Sequence, residues 1–159
     1  MPDLYSVFHE LVYYQVELWD AVDARLQEEC GVPLTWFEIM QLLDRLEGVR
    51  VQDIAAAFSI SVGGTSKVVD KLEAAGYCRR RPHPTDRRSS IIDLTDEGRE
   101  RLGTATRAFE RELDARVGSA VPPESLEQFH RTLLELREAG RALGAGGKAE
   151  KPVPGRQRS

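Results

Sequence analysis

Apolar residues recur every three or four positions from Leu4 through Val7, Phe8, Leu11, Tyr14, Leu18 and Val22 to Leu26, with Glu10, Glu17, Asp20 and Asp23 between them. That period predicts a long amphipathic helix. Gly31 is placed to end it in the left-handed conformation that glycine reaches cheaply, and Pro33 prevents its continuation. Thr35 followed by Glu38 has the form of a capping box, opening a second helix with Ile39, Leu42, Leu43 and Leu46 as its inward stripe. Gly48 stops it. The run Val49 to Val51 then reads as one small strand, and Asp53 opens a short third helix ending at Phe58. Ser59-Ile60-Ser61 makes a polar turn, with Ser61 placed to cap a fourth helix that runs to about Ala75.

Beyond Gly76 the period changes. Two strands are expected, Tyr77 to Arg81 and Ser89 to Leu94, joined by a loop from Pro82 to Arg88. Thr95 caps a long helix with Asp96 and Glu97 in its first turn, where the helix dipole favours negative charge, and with Leu102, Ala105, Phe109, Leu113 and Val117 facing inward. Pro122 and Pro123 start a last helix bearing Leu126, Phe129, Leu133, Leu136 and Leu143 on one face. Residues 144–159 are rich in Gly and Pro, poor in apolar side chains and basic, and are expected to form a disordered tail. The fold class is therefore mainly α with a small β-wing. The terminal helices carry more apolar surface than one small lobe can cover, so a two-fold partner is expected.

Charge changes this picture from a fold to a function. The 159 residues have a net charge of −4, yet residues 1–50 carry three basic against ten acidic groups, whereas residues 61–92 carry seven basic against three acidic. It is the local field that concentrates a polyanion, so the total conceals a basic middle. The remaining chemistry is sparse. Cys30 and Cys78 form no CxxC pair and His9, His83 and His130 are far apart, so neither a metal site nor a cofactor is expected. No run approaches the ~20 apolar residues of a membrane span and the N-terminus lacks a signal-peptide pattern, which together predict a cytoplasmic protein with reduced thiols.

The segment IAAAFSISVGGTSKVVDKLEAAGY has helix-turn-helix spacing, its second helix anchored by Val68, Val69 and Leu72. Ser61, Val62, Gly63, Gly64, Thr65, Ser66 and Lys67 at its start are small or polar, suited to close backbone approach and to hydrogen bonds with base edges. Five arginines follow on one hairpin. Arg79, Arg80 and Arg81 on the stem are placed for phosphates, while Arg87 or Arg88 at the tip suits a narrow minor groove, with Asp86 orienting one of them.

These segments, LTWFEIMQLLDRL and then VQDIAAAFSISVGGTSKVVDKLEAAGYCRRRPHPTDRRSSIIDLTDEG, resemble the MarR family of winged-helix transcriptional regulators. The resemblance spans roughly Leu4 to Leu143, and DRR followed by LTDEG is its specific part. It implies a homodimer joined by residues 1–34 and 118–143, a winged helix-turn-helix lobe at 35–95 and a linking helix at 96–117. It also implies that Ser61, Val62, Gly63, Gly64, Ser66 and Lys67, with Asp86, Arg87 and Arg88 of the wing, touch double-stranded DNA. Members often carry larger polar or basic groups where Val62 and Gly63 stand here. Two lobes one helical turn apart, about 34–36 Å, call for a roughly palindromic operator.

The resemblance further implies a repressor released by a small aromatic or anionic ligand, with His9, Tyr13, Trp36, Met40 and Phe109 as candidate lining residues. Aromatic residues at helical spacing also serve simply as core. Two alternatives differ in readout: a thiol-based oxidative-stress sensor of the same fold using Cys30 or Cys78, and a winged-helix protein-interaction module without DNA readout. An enzyme is not expected, since SVGGTSK lacks phosphate-loop spacing and HExxH is absent.

Overall fold

The computed structural model describes residues 1–144. The expected tail falls almost wholly outside the described residues. Six α-helices and one two-stranded sheet follow in the order α1 (Leu4–Cys30), α2 (Leu34–Arg45), α3 (Val51–Phe58), α4 (Val62–Ala74), β1 (Cys78–Pro82), β2 (Ser90–Leu94), α5 (Asp96–Leu113) and α6 (Pro123–Gly144), with a π-helical turn at Asp114–Gly118 between the last two. None of the described helices is long and apolar enough to cross a membrane.

Local signals set most boundaries. The Asp3 side chain accepts from the backbone N–H groups of Tyr5 and Ser6 to start α1, and Gly31 ends it with φ 65°. Ser61 Oγ accepts from Gly64 N at 3.0 Å and starts α4. Thr95 Oγ1 accepts from Gly98 N at 3.0 Å and starts α5.

Two starts differ from the sequence expectation. Thr35 does not cap α2: the cap position is Pro33, and Leu34 N donates instead to Asp23 Oδ1 of α1 at 2.7 Å. A carboxylate from a neighbouring helix satisfies this N–H, which leaves the Glu38 side chain out of any capping box. Nor do residues Val49 to Val51 make a strand. Asp53 Oδ2 accepts from Arg50 N at 2.9 Å, which draws Val51 into the first turn of α3. What remains of the expected strand is a single bridge from Arg50 to Ile91, with Ile92 N donating to Val49 O at 2.8 Å.

The strands pair antiparallel with Arg80 opposite Ile92, so β2 turns Ile92 and Leu94 into the core while β1 leaves most of its arginines outside. The core joins the C-terminal half of α1 (Val22, Leu26) to Phe37, Met40, Ile54, Val69, Leu72, Ile92 and Leu102. Arg25 of α1 and Arg116 of the π-helical turn both donate to the buried carboxylate of Glu112, at 2.9 and 2.5 Å, and hold its pKa below the ordinary value, Arg116 most strongly. A charge buried here is therefore paired on both oxygens.

The N-terminal half of α1 behaves differently. Leu4, Phe8, Leu11 and Tyr14 are exposed, and α6 buries no residue at all. Two apolar faces, one on α1 and one on α6, thus lack a partner among the described residues.

Candidate nucleic-acid interface

The turn between α3 and α4 is closed by Ser59 at φ 57°, and α4 then projects its first turn outward. Ser61, Val62, Gly63, Gly64 and Lys67 are exposed and Ser66 is half-buried. Thr65 is not among the exposed set. It is fully buried and its hydroxyl donates to Ser61 O at 2.9 Å, because positions 65, 69 and 72 share the inward face. Its side chain therefore serves the start of the helix instead of a base edge. Lys71, one turn beyond Lys67 on the same face, is an exposed cation that the sequence reading passed over.

The hairpin tip is built by its own hydrogen bonds. His83 Nδ1 accepts from Thr85 N at 3.2 Å and from Asp86 N at 3.1 Å. Asp86 in turn accepts from Arg88 N at 2.9 Å and from Ser89 Oγ at 3.2 Å. Those bonds, the backbone N–H of Arg88 first, hold the Asp86 carboxyl below the usual range. Asp86 thus shapes the loop backbone and does not grip a guanidinium, contrary to the orienting role expected from the sequence. Arg87 and Arg88 remain exposed, with no ion pair among the described residues.

The stem arginines divide by the acidic partners within their reach. Arg79 is exposed and unpaired among the described residues, but Arg80 reaches back to α4, binding Asp70 at 2.6 Å and also Glu73. Arg81 pairs with Asp93 of β2 at 2.5 Å. Of the three stem arginines assigned to phosphates, two are therefore engaged within the lobe. Arg50, which the sequence reading did not single out, pairs with Asp53 at 3.5 Å and its charge also acts on Asp86 at the tip. Its signal was weak, since an arginine before a helix is common.

The five residues proposed to line a ligand pocket do not gather around one cavity. A cleft of about 950 Å³ lies between α1, α5 and α6, and only Phe109 of the five lines it. Met40 is fully buried core, and Trp36 packs edge-on against Tyr77 at 6.4 Å. His9 stacks between Tyr5 and Tyr13, at 4.3 and 5.6 Å, on the half of α1 whose apolar face is uncovered. Cys30 and Cys78 are free and buried. Burial raises both thiol pKa values, that of Cys78 to about 11.

Residues 32–90, the segment that builds this lobe, match the sequence profile of the MarR family. The chain is 30% identical over 116 residues to YkoM, an uncharacterized HTH-type transcriptional regulator of Bacillus subtilis, covering 73% of each protein. The chain belongs to the MarR family. As a MarR family protein it is a winged helix-turn-helix transcriptional regulator and not an enzyme. Its fold is similar to that of Sco3205, a MarR family regulator from Streptomyces coelicolor solved in complex with DNA, with a TM-score of 0.76, 24% identity and coverage of 85% of this chain and 86% of that one. It is also similar to CouR from Rhodococcus jostii solved with p-coumaroyl-CoA, with a TM-score of 0.70, 21% identity and coverage of 91% and 95%.

Proposed function

We propose that this MarR family regulator is a repressor that binds a roughly palindromic double-stranded DNA operator as a homodimer and is released by a small aromatic ligand. One observation carries the DNA contact: the guanidinium groups of Arg79, Arg87 and Arg88, unpaired among the described residues, lie on the same lobe as the exposed, small-residue start of α4. Arg87 and Arg88 probe a minor groove, Arg79 meets phosphate, and Ser61, Val62, Gly63, Gly64, Ser66 and Lys67 enter the major groove. Sco3205, solved with DNA, and CouR, solved with p-coumaroyl-CoA, support the two kinds of partner. The uncovered faces of α1 and α6 support the dimer, because a contiguous apolar surface of that kind marks an interaction site.

Operator sites selected from genomic DNA, followed by anisotropy titrations, test this reading. Arg87→Ala should weaken operator binding by ~1–3 kcal/mol without changing the fold. Arg81→Ala, whose guanidinium is already held by Asp93, should cost less. Equal affinity for the wild type and Arg87→Ala would remove the wing from DNA readout and favour a protein-interaction module.

Gly63 gives a second test. A Cβ built there meets nothing within 4 Å, so the protein's own fold does not require glycine at this position. Gly63→Ala should therefore raise folding stability, by up to about 1 kcal/mol, yet weaken operator binding if the bare backbone approaches the bases. A variant both more stable and fully DNA-competent would assign Gly63 to the turn alone. The thiol-sensor alternative has the weaker support, since burial holds both cysteines away from the reactive thiolate.

A further inference from the structure

His83 lies between Pro82 and Pro84 at the root of the wing tip. The two prolines restrict the backbone there, since each fixes its own φ and Pro84 also confines His83 to extended conformations. His83 N donates to Ser89 O at 3.3 Å and closes the loop, and its ring is half-buried. Nδ1 accepts from the backbone N–H groups of Thr85 and Asp86, at 3.2 and 3.1 Å. A backbone N–H can only donate, so Nδ1 must carry the lone pair and the ring proton must sit on Nε2. The tip thus requires a neutral imidazole. A proton on Nδ1 would face two donors and leave both N–H groups without their acceptor.

Histidine is the side chain that takes up such a proton between about pH 8 and pH 5. Because the tip excludes that proton, its order is favoured at higher pH and lost as pH falls. The charges around the ring pull in both directions. The Asp86 carboxylate attracts the proton, whereas the Arg50 charge at the start of α3, which also acts on Asp86, opposes it together with the exposed Arg87 and Arg88. On the stem, Arg81 and Asp93 offset one another. Asp86 is held below the usual carboxylate range, by the Arg88 N–H first, and stays ionised across this window, so the imidazole is the group that changes charge.

We propose, building on the wing contact above, that His83 is a positioning residue for operator binding: its neutral ring fixes the backbone that presents Arg87 and Arg88, and its protonation releases the tip and weakens binding. Acidification would then loosen the regulator from its operator without any ligand.

Operator titrations of the full chain at constant ionic strength, from pH 8 to about pH 5.5, test this against His83→Asn and His83→Ala. The asparagine Oδ1 is attached to Cγ as Nδ1 is, so it can accept from the same N–H groups and does not titrate. On acidification the wild type should lose about fivefold in affinity beyond whatever His83→Asn loses, and at pH 8 His83→Ala should be weaker than both by a similar factor. Identical pH profiles for the wild type and His83→Asn would overturn the proposal, as would full affinity of His83→Ala at pH 8. Tighter wild-type binding at low pH would also overturn it, by placing the imidazolium on a phosphate. Nitrogen NMR without DNA reads the tip by itself: at pH 8 the ring proton should be on Nε2, and the Thr85 and Asp86 amide signals should move as the ring titrates. A proton on Nδ1, or stationary amides, would sink the assignment of His83. Moving amides together with full affinity of Arg87→Ala would instead sink the wing contact, and with it the operator role, while leaving the hydrogen bonds of the tip standing.

Discussion

Gly98→Ala is expected to lower folding stability by about 3 kcal/mol, near the top of the usual overpacking range. A Cβ at this position would stand 2.0 Å from Tyr77 O, a backbone atom that cannot swing aside. The same carbonyl accepts from Thr95 N at 3.1 Å, and Thr95 Oγ1 donates to Gly76 O at 2.5 Å, so the first turn of α5 is docked directly on the root of the wing. Separating them breaks those bonds and shifts the residue that leads into β1. Denaturant unfolding at fixed protomer concentration reads the stability loss, and operator titration should show a parallel loss of affinity. Gly103→Ala is the control. The nearest atom to a Cβ there is the end of the Arg107 side chain at 3.8 Å, so this variant should gain up to about 1 kcal/mol. If both alanines behave alike, the docking account of Gly98 is wrong.

Phe37→Ala should cost still more, ~3–5 kcal/mol, through lost burial and the cavity left behind. Phe37 is only 2% exposed and its ring packs on Phe109 with centroids 4.7 Å apart. Phe109 lines the cleft, so the substitution also removes the backing of a cleft wall. Phe37→Leu should lose markedly less than the alanine variant. A loss below about 1 kcal/mol for Phe37→Ala would mean that the core collapses to fill the space.

What the sequence made legible follows from the range of each interaction. Gly31, Ser61 and Thr95 act on N–H or C=O groups within a few residues, and their roles were readable from neighbours alone. Asp23 caps a helix eleven residues on and from another element, a partnership that no local pattern displays. Thr65 followed the inward spacing of Val69 and Leu72, but its hydroxyl suggested an outward position. At the candidate interface, the three arginines of the wing stem looked equivalent in sequence. Their division depended on Asp70, Glu73 and Asp93, which only the folded hairpin brings near. The ligand-lining residues were the least legible, since Met40 and Trp36 satisfy an aromatic or apolar pattern equally well as core.

The clamp from Arg80 to Asp70 and Glu73 ties the wing stem to the outer face of α4. A lobe braced in this way has one orientation to adjust, not two. Under the proposed operator reading, a rotation that lifts α4 from the major groove also withdraws the hairpin tip from the minor groove, so the two contacts are gained and lost as a unit. Under that reading, sensitivity to a small rotation is set by the product of two affinities.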